Sequence, residues 1–271
     1  MAGLPSLAPV VQKAIAVTEN PDGSNERLQQ VLSADQAATA GVLRLANSAY
    51  FGAMQEIQSL SVAINIMGHS SLRTLLRHML VSELFKMLAA RGSAAVHIWE
   101  MSVAAGAACR EIAEVTKHPH PPDECAVGGL LHNIGELALW SQFPADYESS
   151  LQMAESRPKR QARLLIFGVD SSTVARWLLE AWNFPRPLIA AVEFWEQPLQ
   201  ASFSASWRQF AGVVHAGVRL AEAWSLGLPA SSACARILPE VQGLLQLRSE
   251  AGWAVYQDIP RRMAQIRGIL A

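Results

Sequence analysis

Gly128-Gly129-Leu130-Leu131-His132-Asn133-Ile134-Gly135-Glu136-Leu137 is the stretch that decides how the chain is read. A polar pair, His132 and Asn133, stands inside a run that is otherwise apolar apart from Glu136. Just upstream, Pro121-Pro122-Asp123-Glu124 carries the marks of a helix start. Its prolines are rigid, and its acidic side chains face the positive end of the macrodipole. The helix so opened is expected to carry His132 near its centre, with Glu136 one turn on and on the same face. Such a pair is a minimal set for a weak metal or ligand contact. The competing reading is a buried histidine satisfied by a hydrogen bond inside a bundle.

Working outward, nearly every segment has helical periodicity and no convincing alternating strand appears. Leu72, Leu75, Leu76, Met79, Leu80, Leu84, Phe85 and Leu88 recur at spacings of three and four, an amphipathic stripe. Ser59 and Gly68 bracket another helix as N-cap and stop. The fold class expected is all-α. A soft boundary falls at Arg91-Gly92-Ser93, giving an N-terminal helical part over 1–92 and a longer helical bundle over 93–271. The end of the chain, Trp253 to Leu270, reads as one more amphipathic helix with Arg261, Arg262 and Arg267 outside.

Composition narrows the function classes. Of 271 residues, 51% are hydrophobic and 17% charged, which argues for a packed core over disorder. A net charge of −1 leaves no global footprint for nucleic acid or an anionic membrane. Cys109, Cys125 and Cys234 are odd in number and far apart, so neither a disulfide framework nor a four-cysteine zinc site is expected. No signal peptide or membrane span is read, and a cytoplasmic location is the expectation.

Two blocks together carry a resemblance. The first is Val42-Leu43-Arg44-Leu45-Ala46-Asn47-Ser48-Ala49-Tyr50-Phe51-Gly52, followed by Ser59-Leu60-Ser61-Val62-Ala63-Ile64 and Met67-Gly68. The second is the Gly128 to Leu139 stretch, with Trp182-Asn183-Phe184-Pro185 downstream. The pattern resembles the HDOD family, bacterial signal-transduction domains related to the HD and HD-GYP metal-dependent phosphohydrolases. It runs from about residue 4 to about residue 223. The resemblance implies an HD-domain-like helical bundle with a smaller N-terminal helical subdomain, in which Asn47, Ser48 and Gly52 are structural signature positions. It also implies a regulatory role.

The same resemblance lets the family's metal site be followed through this chain. Where relatives place a histidine after a Trp, this chain has Met101. The central pair keeps His132 but has Asn133 in place of the Asp. A further histidine position holds Ser171, a His-His pair corresponds to Trp195-Glu196, and the closing Asp aligns with Val218. A single neutral imidazole does not hold a catalytic metal without help. The expectation is therefore no metal, no cofactor and no catalysis of the family type.

Other clusters were weighed. Arg73 and Arg77, one turn apart, are either a solvated face or a surface for an acidic partner or cyclic dinucleotide. Arg157, Lys159, Arg160 and Arg163 read as a solvated helix start, and His118-Pro119-His120 as an exposed loop. Asn25 to Asn47 imitates a helix-turn-helix but offers mainly Gln36, Thr39 and Arg44 to bases, so it reads as a structural corner. Gly41, Gly106, Gly128 and Gly129 fall in helices and read as close-packing positions. The resulting expectation is a non-catalytic regulatory module. It would act through an unidentified signalling protein, with a small ligand, a nucleotide among them, conceivable in the remnant cleft. Membrane and nucleic-acid partners are not expected. The alternatives are a divergent phosphohydrolase using His132, Glu136, Asp170 or Glu196, and an adaptor binding DNA or a cyclic dinucleotide.

Overall fold

The computed structural model describes residues 9–20, 22–47, 57–89, 93–182, 184–200 and 204–270, and every element among them is helical. The chain divides into two compact units, residues 88–264 with 1–3, and residues 4–87 with 265–271.

The smaller unit holds α1 (Pro9–Glu19), α2 (Asn25–Ser33), α3 (Gln36–Ala46) and α4 (Leu60–Ala89). Short polar side chains start its helices. Ser24 Oγ accepts from the Arg27 N–H at 3.2 Å, and Asp35 Oδ1 accepts from the Ala38 N–H at 2.8 Å, each satisfying an otherwise orphaned donor. Leu28, Leu32, Val42, Ala63, Ile64, Leu72 and Leu76 are buried. α4 breaks at Gly68, whose φ of 68° and ψ of 168° suit glycine and strain any other residue. The stop expected there is real, and the chain then turns straight into a second helical run. After α3, Asn47 acts as a clamp. Its Nδ2 donates to the carbonyls of Leu43 and Ile57, both at 2.8 Å, and its Oδ1 accepts from the Ile57 N–H at 2.6 Å. Ser48 and Gly52 lie outside the described residues.

The larger unit begins with α5 (Ser93–Val115), α6 (Pro122–Leu131), α7 (Ile134–Gln142) and α8 (Pro144–Met153). It continues with α9 (Lys159–Phe167), α10 (Ser171–Ala181), α11 (Arg186–Glu193), a 3-10 turn (Pro198–Gln200) and α12 (Ala205–Ser225). It closes with α13 (Ala230–Cys234), α14 (Pro239–Leu245) and most of α15 (Ser249–Leu270). α5 packs against both α6 and α12. Residues 101–109 of α5 are buried almost without interruption, so this helix is apolar all round rather than amphipathic. Small residues set the spacing. A Cβ on Gly129 would lie 2.6 Å from the Ala105 carbonyl oxygen, and one on Gly217 would overlap the Cys109 sulfur. The expected packing role of Gly106, Gly128 and Gly129 follows from such contacts, and Gly41 meets Met79 in the smaller unit in the same way.

Two expectations are corrected here. His132 does not sit mid-helix: α6 ends at Leu131, and His132 and Asn133 form the two-residue joint before α7. Asn133 takes φ −96° and ψ 6°, the bridge conformation, which an asparagine adopts more readily than a good helix former does. On α15, Arg262 is not outside. Its Nη2 lies 2.6 Å from Glu111 Oε2 on α5, tying the last helix to the buried one.

Candidate functional site

His132 is 4% exposed and its Nδ1 lies 2.6 Å from the Gly129 carbonyl oxygen. A carbonyl only accepts, so Nδ1 carries the proton. Its ring stands edge-on to the Trp195 indole at 5.4 Å between centroids and an interplanar angle of 83°. Burial lowers the His132 pKa to about 4, outweighing the pull of the Gly129 carbonyl, Glu222 and Glu136, so the imidazole is neutral.

Trp195, just past the end of α11, organises what surrounds it. Its carbonyl accepts from Nδ1–H of His215 at 2.9 Å, and His215 Nε2 accepts from the Leu238 N–H at 3.3 Å. Those two partners fix one tautomer and the neutral state, and burial lowers the His215 pKa to about 4. The Arg219 guanidinium stands 5.5 Å from the indole centroid and donates to Glu222 at 2.9 Å. His215 and Arg219, both on α12, were not singled out in the sequence. Their shared spacing with Val218 on one long helix was the available signal.

Glu136 is not available as a partner for His132. Arg163 on α9 donates to its carboxylate through Nη2 at 2.7 Å and Nε at 3.1 Å. Arg163 also donates to Ser150 Oγ at 2.5 Å and lies over the Tyr147 ring at 4.4 Å. The basic cluster is thus split. Arg157 and Lys159 are exposed, whereas Arg163 is 1% exposed and belongs to the interior, because a guanidinium is buried only where a carboxylate and further acceptors meet it.

The remaining positions are placed as follows. Met101 and Val218 are buried. Ser171 opens α10 behind the cap Asp170, whose Oδ1 accepts from the Thr173 N–H at 2.8 Å. Its carbonyl oxygen occupies the space where a Cβ of Gly135 would be, so α7 and α10 touch backbone to backbone. Glu196 and Asp170 line a small, partly open cleft with Arg160, Thr173, Glu193 and Gln197. Arg160 spans it, with Nε 2.6 Å from Asp170 Oδ2 and Nη1 2.8 Å from Gln197 Oε1.

A divalent ion of the HD kind does not fit this set. An indole and a valine offer no donor, the thioether of Met101 is soft, and the carboxylate of Glu136 is spent on a guanidinium. Among the described residues, no three His, Cys, Asp or Glu side chains are grouped so as to hold a metal.

Two candidates elsewhere are also revised. Arg77 is 4% exposed and bonds Glu19 of α1 at 2.7 Å, so it presents no surface to a partner; Arg73 is half-buried and reaches the Thr18 carbonyl at 3.3 Å. His118 and His120 are half-buried rather than exposed. They stack on each other at 5.5 Å, and His120 contacts Phe210 at 4.7 Å and Ser206 Oγ at 3.0 Å.

These features define the class: an all-helical HD-like bundle in which His132 packs against Trp195 and Glu136 is paired with Arg163. The chain belongs to the HDOD domain family, whose profile matches residues 4–198. An uncharacterized protein of Treponema pallidum (strain Nichols) is 26% identical over 193 residues, 70% of this chain and 36% of that relative. The chain therefore spans little more than a third of that relative's length. Two solved structures share the fold. A Shewanella amazonensis SB2B protein named "Putative phosphohydrolase" is 21% identical at a TM-score of 0.73, covering 99% of this chain and 95% of its own. An HDOD domain protein with unknown function from Geobacter sulfurreducens is 20% identical at 0.65, covering 98% and 92%.

Proposed function

We propose that this HDOD domain is a non-catalytic signal-transduction module that works by binding a protein partner, with its remnant cleft available to a small ligand. The observation that carries the reading is Trp195. Its indole packs against His132 and its backbone is held by His215, so side-chain bulk and fixed hydrogen bonds fill positions that the family resemblance assigns to metal ligands. No described helix is long and apolar enough to cross a membrane. Three buried free thiols suit a reducing cytoplasm, which we take as the compartment.

The test is direct. Protein purified without chelator is analysed for bound metal, then assayed with manganese on phosphate monoesters and cyclic dinucleotides. Sub-stoichiometric metal and no hydrolysis above background are expected. Stoichiometric metal with turnover would overturn the reading.

A further inference from the structure

We propose that Ser206 is a nucleophile that accepts an acyl group from a carboxylic ester, with His120 as its general base and Glu124 as the residue that positions His120. The three side chains form a chain of contacts. His120 Nε2 is 3.0 Å from Ser206 Oγ, and His120 Nδ1 is 3.7 Å from Glu124 Oε2. A carboxylate only accepts, so Glu124 favours the proton on Nδ1 and leaves Nε2 to accept from the Ser206 hydroxyl. The longer separation is of the kind that tightens when substrate binds.

The fold brings the group together from two elements. His120 precedes α6 and Glu124 stands in its first turn, whereas Ser206 lies in the first turn of α12, 86 residues from His120. Phe210, one helical turn after Ser206, sets its ring 4.7 Å from that of His120, and His118 stacks on the imidazole at 5.5 Å. The His120 N–H also donates to His118 Nδ1 at 3.1 Å. Burial lowers the His118 pKa to about 4, so this neighbour is neutral. It does not repel the charge that His120 gains on taking the serine proton. Ser206 is half-buried, so a small ester can reach its oxygen.

The start of α12 supplies the remaining requirement. Ala205 and Ser206 are its first two residues, and their N–H groups have no partner within the helix. Such donors, at the positive end of a 21-residue helix, suit the oxyanion that forms when Oγ attacks a carbonyl carbon. In that step the Oγ–C bond forms and the serine proton passes to His120 Nε2. The ester's C–O bond then breaks, and the departing alkoxide takes the proton from His120 and leaves as an alcohol. Atoms and charge balance with no further reactant. His132, Glu136 and Trp195 take no part, so the step is separate from phosphohydrolysis at the remnant metal positions.

The full chain is treated with an alkyl fluorophosphonate, whose P–F bond an activated serine displaces, and separately with p-nitrophenyl acetate. Adducts are mapped by peptide mass spectrometry. Ser204 is the internal control, because it is exposed on the same helix start and its oxygen caps the Trp207 N–H instead. Ser206 is expected to react at least about tenfold faster than Ser204, and to lose that lead in the urea-unfolded chain. His120→Gln should slow the Ser206 reaction about a hundredfold. Glu124→Gln should lower the rate constant at saturating p-nitrophenyl acetate at least about tenfold, with the half-saturating concentration unchanged, and Glu124→Asp should regain part of the rate. No adduct at Ser206, equal reaction of the two serines, or an unchanged rate in His120→Gln or Glu124→Gln overturns the proposal. If the variants do not fold, the comparison of Ser206 with Ser204 in the folded and unfolded chain decides. None of these readouts depends on bound metal, so failure here leaves the reading of the metal positions standing.

Discussion

Arg163 closes on Glu136 from 27 residues away, and its guanidinium is 1% exposed while it does so. The pair joins α9 to the first turn of α7, immediately after the His132–Asn133 joint. Ser150 and Tyr147 of α8 complete the guanidinium's shell, so three consecutive helices converge on one cation. A carboxylate that the sequence placed beside His132 as a ligand is instead an internal fastening.

Removing one partner should therefore cost more than removing both. Arg163→Met strands a half-buried carboxylate and is expected to lower stability by about 3 kcal/mol. Adding Glu136→Leu should restore a large part of that loss, because the uncompensated charge is then gone. Urea denaturation of the two single variants and the double variant measures the coupling. Additive losses would show that the pair is not the fastening described.

His132 and His215 give the protein a defined response to acid. Both have folded pKa values of about 4, below the ordinary 6.5, because burial penalises their charged forms. The unfolded chain therefore takes up protons first as pH falls. The stability they contribute is complete above pH 6.5 and is lost as pH drops from there toward 4. By pH 5, before most carboxylates titrate, each contributes a loss of up to about 2 kcal/mol. Burial lowers the His118 pKa to about 4 as well, so urea midpoints between pH 7 and 5 should fall with a slope approaching three protons. His215→Gln should remove one of them, whatever its effect at pH 7. An unchanged slope would mean that His215 is not held neutral.

Helical periodicity and caps made the all-α class readable, and the helix start after Ser59 and the break at Gly68 read correctly because those signals are local. The joint at His132–Asn133 was not readable, since Asn133 differs from a helix former by only a fraction of a kcal/mol. The fate of Arg163, Arg77 and Arg262 was hidden for a different reason. An arginine in a basic run looks solvated until the carboxylate it meets is known, and Glu136, Glu19 and Glu111 lie 27 or more residues away. His132, Glu136 and Trp195 could be named from the sequence, but the partners each one meets could not.

Two glycines should behave in opposite ways. Gly135→Ala drives a methyl into the Ser171 carbonyl and forces α7 from α10, so a loss of about 3 kcal/mol or failure to fold is expected. A Cβ on Gly243, inside α14, meets nothing within 4 Å, and Gly243→Ala should stabilise by about 0.5–1 kcal/mol. Thermal unfolding of both variants checks the contrast; similar effects from the two would contradict the backbone contact.

Asn47 needs both ends of its amide. Asn47→Asp keeps the acceptor for the Ile57 N–H but loses the donors to Leu43 and Ile57, and Asn47→Ala loses all three bonds. Expected losses are about 1 kcal/mol and about 2 kcal/mol in that order. Hydrogen exchange at the Ile57 amide should accelerate strongly only in Asn47→Ala. Equal protection in all three proteins would rule out the clamp.

Restoring the missing charge should not restore a metal site. Asn133→Asp changes one side chain, yet Trp195 still packs on the His132 ring. Glu136 stays bound to Arg163. One added carboxylate beside a neutral imidazole leaves manganese affinity in the range of an ordinary surface pair. Titration calorimetry should detect no manganese binding tighter than about 1 mM, an affinity worth only about 4 kcal/mol. Tight binding after this single change would mean that the aromatic packing yields readily, and that the charge at position 133 alone decides whether this domain holds a metal.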